Sequence, residues 1–121
     1  MIGDEWTDDL PWIGQYILDD DGNPVPAKSL LAWGEWFETH RHEKIVAQDQ
    51  IGIAFVSTVF LGLDHGAGFL VRTGQLDPLT YKPVLWETMV FGGPYKDYQT
   101  RYTSKKEALE GHKKIVQMLT S

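Results

Sequence analysis

Residues 51–65, IGIAFVSTVFLGLDH, constrain this chain more than any other stretch. Counted by twos, Ile51, Ile53, Phe55, Ser57, Val59, Leu61 and Leu63 fall on one side, and Ala54, Val56, Thr58, Phe60 and Gly62 on the other. Both sides are largely apolar and rich in β-branched and aromatic residues. A strand with that pattern is covered on both faces, so Ile51 to Leu63 is expected at the centre of a sheet. The run ends abruptly in Asp64-His65 and a short glycine-rich turn, Gly66-Ala67-Gly68.

The flanking segments supply partners for this strand. Val84 to Phe91, VLWETMVF, reads as a second strong strand, stopped by Gly92-Gly93-Pro94 and followed by a shorter strand over Tyr98 to Tyr102. Lys44 to Gln48 reads as a short strand that turns at Asp49-Gln50 into the central one. Tyr16-Ile17-Leu18 is a further short strand, ended by the turn residues Asp19-Asp20-Asp21-Gly22-Asn23-Pro24. Those acids lack the alternating ligands, closing Glu and flanking helices of a calcium loop.

Two helices are expected. The first runs from Pro26 or Ala27 to about His40, with Leu30, Trp33, Gly34 and Phe37 at helical spacing. Its aromatic face, Trp33, Trp36, Phe37 and His40, suits core packing, with a ligand-stacking platform as the functional reading. The last helix opens on Ser104-Lys105-Lys106-Glu107, the pattern of a capping box. Ala108, His112, Ile115 and Leu119 then share one face, and Gly111 beside them implies close approach to the sheet. The sum is an α+β domain spanning residues 1–121, a mostly antiparallel sheet of four or five strands with two helices packed on one face.

Composition narrows the function classes. A hydrophobic fraction of 42% and a charged fraction of 23% are those of an ordinary globular chain. Zero cysteine removes disulfides, thiolate metal sites and a cysteine nucleophile. No apolar run has membrane-spanning length, and no basic start leads into an apolar segment, so neither a membrane span nor a secretory signal is expected. The net charge of −6 is concentrated: residues 1–26 hold seven acids and no Lys or Arg, while the rest sets ten acids against eleven bases. Direct nucleic-acid binding is disfavoured without clustered cations. The acidic arm, residues 1–13, also carries Trp6 and Trp12, which suit packing on the domain or on a partner.

Chemistry-bearing residues are few. Glu87 interrupts an apolar strand, Asp64-His65 ends the central one, and His112 sits on the apolar face of the last helix. With the two strong strands antiparallel, the last helix is expected to lay His112 over Glu87. A buried carboxylate–imidazole pair is either an ion pair locking helix to sheet or a general base or metal ligand set. His40 and His42 stand at i and i+2, which splays them on a helix. No phosphate-loop, dinucleotide, His-Glu-x-x-His or Gly-x-Ser-x-Gly pattern is present, and no cofactor is indicated. The irregular stretch 66–83, which contains Arg72, has the length of a functional loop.

Four segments, YILDDDGNPVP (16–26), STVFLGLDH (57–65), WETMVFGG (86–93) and RYTSKKEALEGHKKIV (101–116), resemble a family of small proteins encoded by tailed phages and prophages. The resemblance covers most of the chain outside the acidic arm and the 66–83 loop, and brings no catalytic residues with it. It implies an accessory phage protein in the cytoplasm of a host bacterial cell, in a setting of host takeover or counter-defence. Two classes follow. One is a binding protein that engages a host protein or small molecule through the 66–83 loop and arm, with Asp64, Trp33, Trp36 and Arg72 as contact residues. The other is a small metal-dependent or acid/base hydrolase-like enzyme centred on Glu87, His112 and His65.

Overall fold

The computed structural model describes residues 14–64, 66, 73–75 and 82–121. The acidic arm, His65, Arg72 and most of the 66–83 loop lie outside the described residues. The elements in chain order are β1 (Tyr16–Leu18), β2 (Pro24–Pro26), α1 (Leu30–Thr39), β3 (Ile45–Ile51), β4 (Ala54–Phe60), β5 (Trp86–Phe91), β6 (Gln99–Tyr102) and α2 (Lys105–Thr120). The fold is α+β, as the periodicities indicate, and its larger sheet has four antiparallel strands in the order β3-β4-β5-β6. The chain divides into two compact units, Met1–Arg41 with Gly62–Pro83, and His42–Leu61 with Val84–Ser121.

In the first unit β1 and β2 form a hairpin, Tyr16 facing Pro26 and Leu18 facing Pro24. The sequence reading expects turn and helix over these residues, because it takes Pro26 as a helix start. Two prolines fit this strand for a definite reason. The Asp19 amide donates to Asn23 and the Ala27 amide donates to Gln15, so alternate residues of β2 carry the ladder. Both prolines then fall at positions whose missing N–H would face away from β1. Helix α1 therefore begins later, at Leu30, where the Ser29 hydroxyl accepts from the Ala32 amide at 3.0 Å.

The second unit is a strand meander with one helix across it. The turn expected at Asp49-Gln50 lies instead at Gly52-Ile53, since Ile51 pairs with Ala54. Gly52 has φ 59° at the first central position, the requirement of a two-residue II′ hairpin. So β3 runs three residues beyond the expected end, and Ile53 sits on the turn, 82% exposed, rather than in the central strand. Along β4 burial alternates: Ala54, Val56, Thr58 and Phe60 are buried, and Phe55, Ser57 and Val59 are half-buried.

Helix α2 packs against all four strands. Ile115 joins Ala54, Val56 and Val90 in the core, with Ile51, Tyr98 and Leu119 around them. Its start matches the expected cap in part. The Ser104 hydroxyl accepts from the Glu107 amide at 3.1 Å, while the Glu107 carboxylate reaches back to the amide and hydroxyl of Thr103. Gly111 faces β6 as its spacing implies. A Cβ there would stand within 2.5 Å of Cε1 and Cζ of Tyr102.

Two effects compete at that position. Ala is the better helix former by about 1 kcal/mol, but overpacking of this kind costs about 1–3 kcal/mol. Gly111→Ala should therefore lower the thermal melting point, and Gly111→Ala in a Tyr102→Ala background should not lower it further. A melting point raised by the single substitution would refute the close approach.

Candidate functional site

Strand parity decides what the candidate residues can do. Thr88 and Thr58 face each other on the sheet face that carries α2, and Glu87 pairs with Val59 on the opposite face. The expected pairing of Glu87 with His112 is therefore corrected: helix-facing and outward residues alternate along β5, and Glu87 is one residue out of phase. Glu87 instead accepts from Arg101 Nε at 2.9 Å and from the Gln99 amide, both on β6. Its side chain is 9% exposed and that of Arg101 is 47% exposed. This is a cross-strand ion pair with one charge near water.

His112 has different partners. Its Nε2 is 2.7 Å from Asp49 Oδ2 on β3, and its Nδ1 is 2.8 Å from Thr58 Oγ1 on β4. The Thr58 hydroxyl contacts the Thr88 hydroxyl, and Tyr102 Oη donates to Thr88 Oγ1 at 3.0 Å. One assignment of protons uses every donor once. Tyr102 donates to Thr88, Thr88 to Thr58, Thr58 to His112 Nδ1, and His112 Nε2–H to the Asp49 carboxylate. Five side chains from β3, β4, β5, β6 and α2 thus form one line of hydrogen bonds through the centre of the unit.

The order carboxylate, imidazole, hydroxyl is also that of a nucleophilic triad. Burial separates the two uses. Thr58 and Thr88 are both 0% exposed and His112 is 3% exposed. A nucleophile needs room for a reacting carbon about 3–3.5 Å away, and the Thr58 hydroxyl is already enclosed by His112 and Thr88. The ends of the line reach water, the Asp49 side chain being 52% exposed and Tyr102 half-buried, while its centre does not. Among the described residues no three His, Asp or Glu side chains are grouped to hold a metal ion.

In the first unit Asp64 is 5% exposed; its amide donates to the Gly14 carbonyl at 2.9 Å and its Oδ1 accepts from the Gly66 amide at 3.1 Å. That is a turn held by its own side chain. Burial raises the pKa of the neighbouring Tyr16 phenol, and the Asp64 charge adds to the rise. Trp33 donates its indole N–H to the Gly62 carbonyl at 3.0 Å. Trp36 stacks on His40 with rings 4.6 Å apart and meets the edge of Phe37 at 5.0 Å. Helix α1 has no fully buried residue. Both tryptophans are thus engaged within the first unit, though not in a buried core. His65 and Arg72 lie outside the described residues.

Asp49, Thr58, Thr88 and Tyr102 escape the sequence reading. Asp49 is hidden by placing the turn three residues early, and Gly52 is the signal that corrects it. Thr58 and Thr88 read as ordinary strand residues, since threonine is common in sheets.

His112→Ala leaves the buried Thr58 hydroxyl short of an acceptor and should cost about 1–3 kcal/mol, the range for one unsatisfied buried group. A double-mutant cycle between Asp49 and His112 should show coupling of at least about 0.5 kcal/mol, whereas Glu87 and His112 should be additive within about that amount. Coupling in the second pair and none in the first would overturn the assignment.

Burial also raises the Tyr102 phenol above its ordinary pKa of 10.0, with Tyr98 nearby adding to the rise. The sign follows from linkage: a raised native pKa gives stability that is complete below pH 10.0 and lost as pH climbs through the native value. Denaturant midpoints should therefore fall above that pH, and Tyr102→Phe should flatten the fall. An unchanged slope in the variant would assign the effect elsewhere.

Comparison with protein-family models, curated proteins and solved structures found no match to this chain.

Proposed function

We propose that the protein is a phage accessory protein that acts in the bacterial cytoplasm by binding a host protein, in host takeover or counter-defence. The phage setting rests on the likeness of the four segments quoted above. The binding mode rests on one observation in the second unit: its polar chemistry is turned inward, and its apolar residues are turned outward at one end of the sheet. Ile53 is 82% exposed, Phe91 51% and Tyr95 38%. They are neighbours, because Phe91 pairs with Phe55 next to the Gly52-Ile53 turn, their rings 6.3 Å apart, and Gly92 runs against the Ile53 carbonyl.

Exposed aromatic and β-branched residues gathered at one place are the mark of a surface that buries itself on a partner. The patch is made of a hairpin turn and a strand end, and its exposed apolar side chains suit a protein partner. Among the described residues no helix is long and apolar enough to cross a membrane, which agrees with a partner met in solution.

The test is affinity capture from lysate of a bacterial host, with wild type compared to Ile53→Asp/Phe91→Asp. A host protein held by wild type and depleted at least tenfold with the variant supports the reading. Equal capture by both, with the variant's melting point unchanged, would defeat it.

A further inference from the structure

The geometry points to a second interaction surface, the edge of β3 that no described strand covers, and to its occupant, a second copy of this chain. β3 is the terminal strand of the sheet order and is seven residues long. The other edge, β6, has four residues and carries Arg101. Short length, Lys, Arg and Pro are the usual means of keeping a sheet edge from pairing. β3, Ile45-Val46-Ala47-Gln48-Asp49-Gln50-Ile51, has no Lys, Arg or Pro; its protection is limited to a bulge between Ile45 and Ala47 and the single charge of Asp49.

The edge groups can be assigned from the hairpin. Ile51 and Ala54 flank a two-residue turn, so they form a hydrogen-bonded pair, and so do Asp49 with Val56 two residues on. The N–H and C=O of Gln48 and Gln50 then point away from β4. Among the described residues no hydrogen bond joins either backbone to anything else. Gln48, Asp49 and Gln50 are all exposed.

The strand is complementary to itself about Gln48. In an antiparallel pair with the two-fold axis at that residue, Gln48 exchanges both backbone bonds with its own copy. Gln50 then meets Val46, and Ala47 meets Asp49. The only charge on the strand thus faces a methyl group and keeps its bond to His112. The alternative axis, at Asp49, would set two carboxylates directly opposite each other, which is unfavourable. A closed two-fold arrangement uses one edge on each copy and leaves no further β3 edge for growth. It joins two four-stranded sheets into one continuous sheet.

Because the chain has no cysteine, a single introduced thiol reports the axis. Opposed Cα atoms in a hydrogen-bonded antiparallel pair lie about 5.5 Å apart, within disulfide reach. Gln48→Cys should form a covalent dimer rapidly on mild oxidation, while Ser57→Cys, one strand inward on the same face, should stay monomeric. Sedimentation of the wild type should give twice 13.8 kDa. Gln48→Pro removes an N–H that β4 does not use, so it should give the monomer mass with the wild-type circular dichroism. A monomeric wild type, or cross-linking no faster at 48 than at 57, would overturn the proposal even if Gln48→Pro fails to fold.

Discussion

The hydrogen-bonded line from Asp49 through His112 to the two threonines and Tyr102 is the constraint on which the second unit depends. Helix α2 is otherwise attached by apolar contacts, with Ala108 and Ile115 as its other buried residues and Gly111 against the Tyr102 ring. The imidazole adds direction, because each ring nitrogen has one partner on a different strand. In a low-dielectric interior these bonds are strong when complete and costly when any member is missing. Threonine is the residue that makes this possible inside a sheet. It keeps the β-branched shape that a strand packs well, and supplies a hydroxyl where valine would leave His112 Nδ1 unsatisfied.

The two faces of the sheet divide the labour. Under α2 the polar groups are matched to one another and shielded from substrate. On the opposite face Glu87, Arg101 and Gln99 form a compact polar cluster, while Phe55, Met89 and Phe91 supply apolar surface beside it. Of the titratable residues that look reactive in isolation, His112 is bonded within the face under α2 and Glu87 is held by Arg101 and Gln99 on the other. What the unit presents to its surroundings is shape and apolar area at the hairpin end, which is the physical basis for reading it as a binding module.

The legible parts of the fold are those where local chemistry and long-range packing agree. The capped helix shows its start through Ser104 and its buried stripe through Ala108, His112 and Ile115, and Gly111 shows the close approach to the sheet. The two strong strands show themselves through their alternation, and they pair antiparallel as neighbours in the sheet. Legibility fails where one residue of phase matters. Taking Asp49-Gln50 as the turn shortens β3 and hides Asp49, and counting Glu87 as helix-facing pairs it with the wrong face. Pro24 and Pro26 mislead for another reason. Their place in a strand depends on which amides the partner β1 uses, and that is a tertiary fact.

The weak pattern of β3 gives the Asp49–His112 bond a further consequence. Strand register is normally set by apolar alternation, yet β3 offers little: glutamines on one face, and Ala47, Asp49 and Ile51 on the other. A slip of one residue against β4 would place Gln48 or Gln50 beneath the helix and turn the carboxylate outward. Few apolar contacts would register the error, but the imidazole would lose its acceptor. The bond therefore ties the register of β3 to the seating of α2, since the carboxylate lies beside the imidazole only in the native alignment.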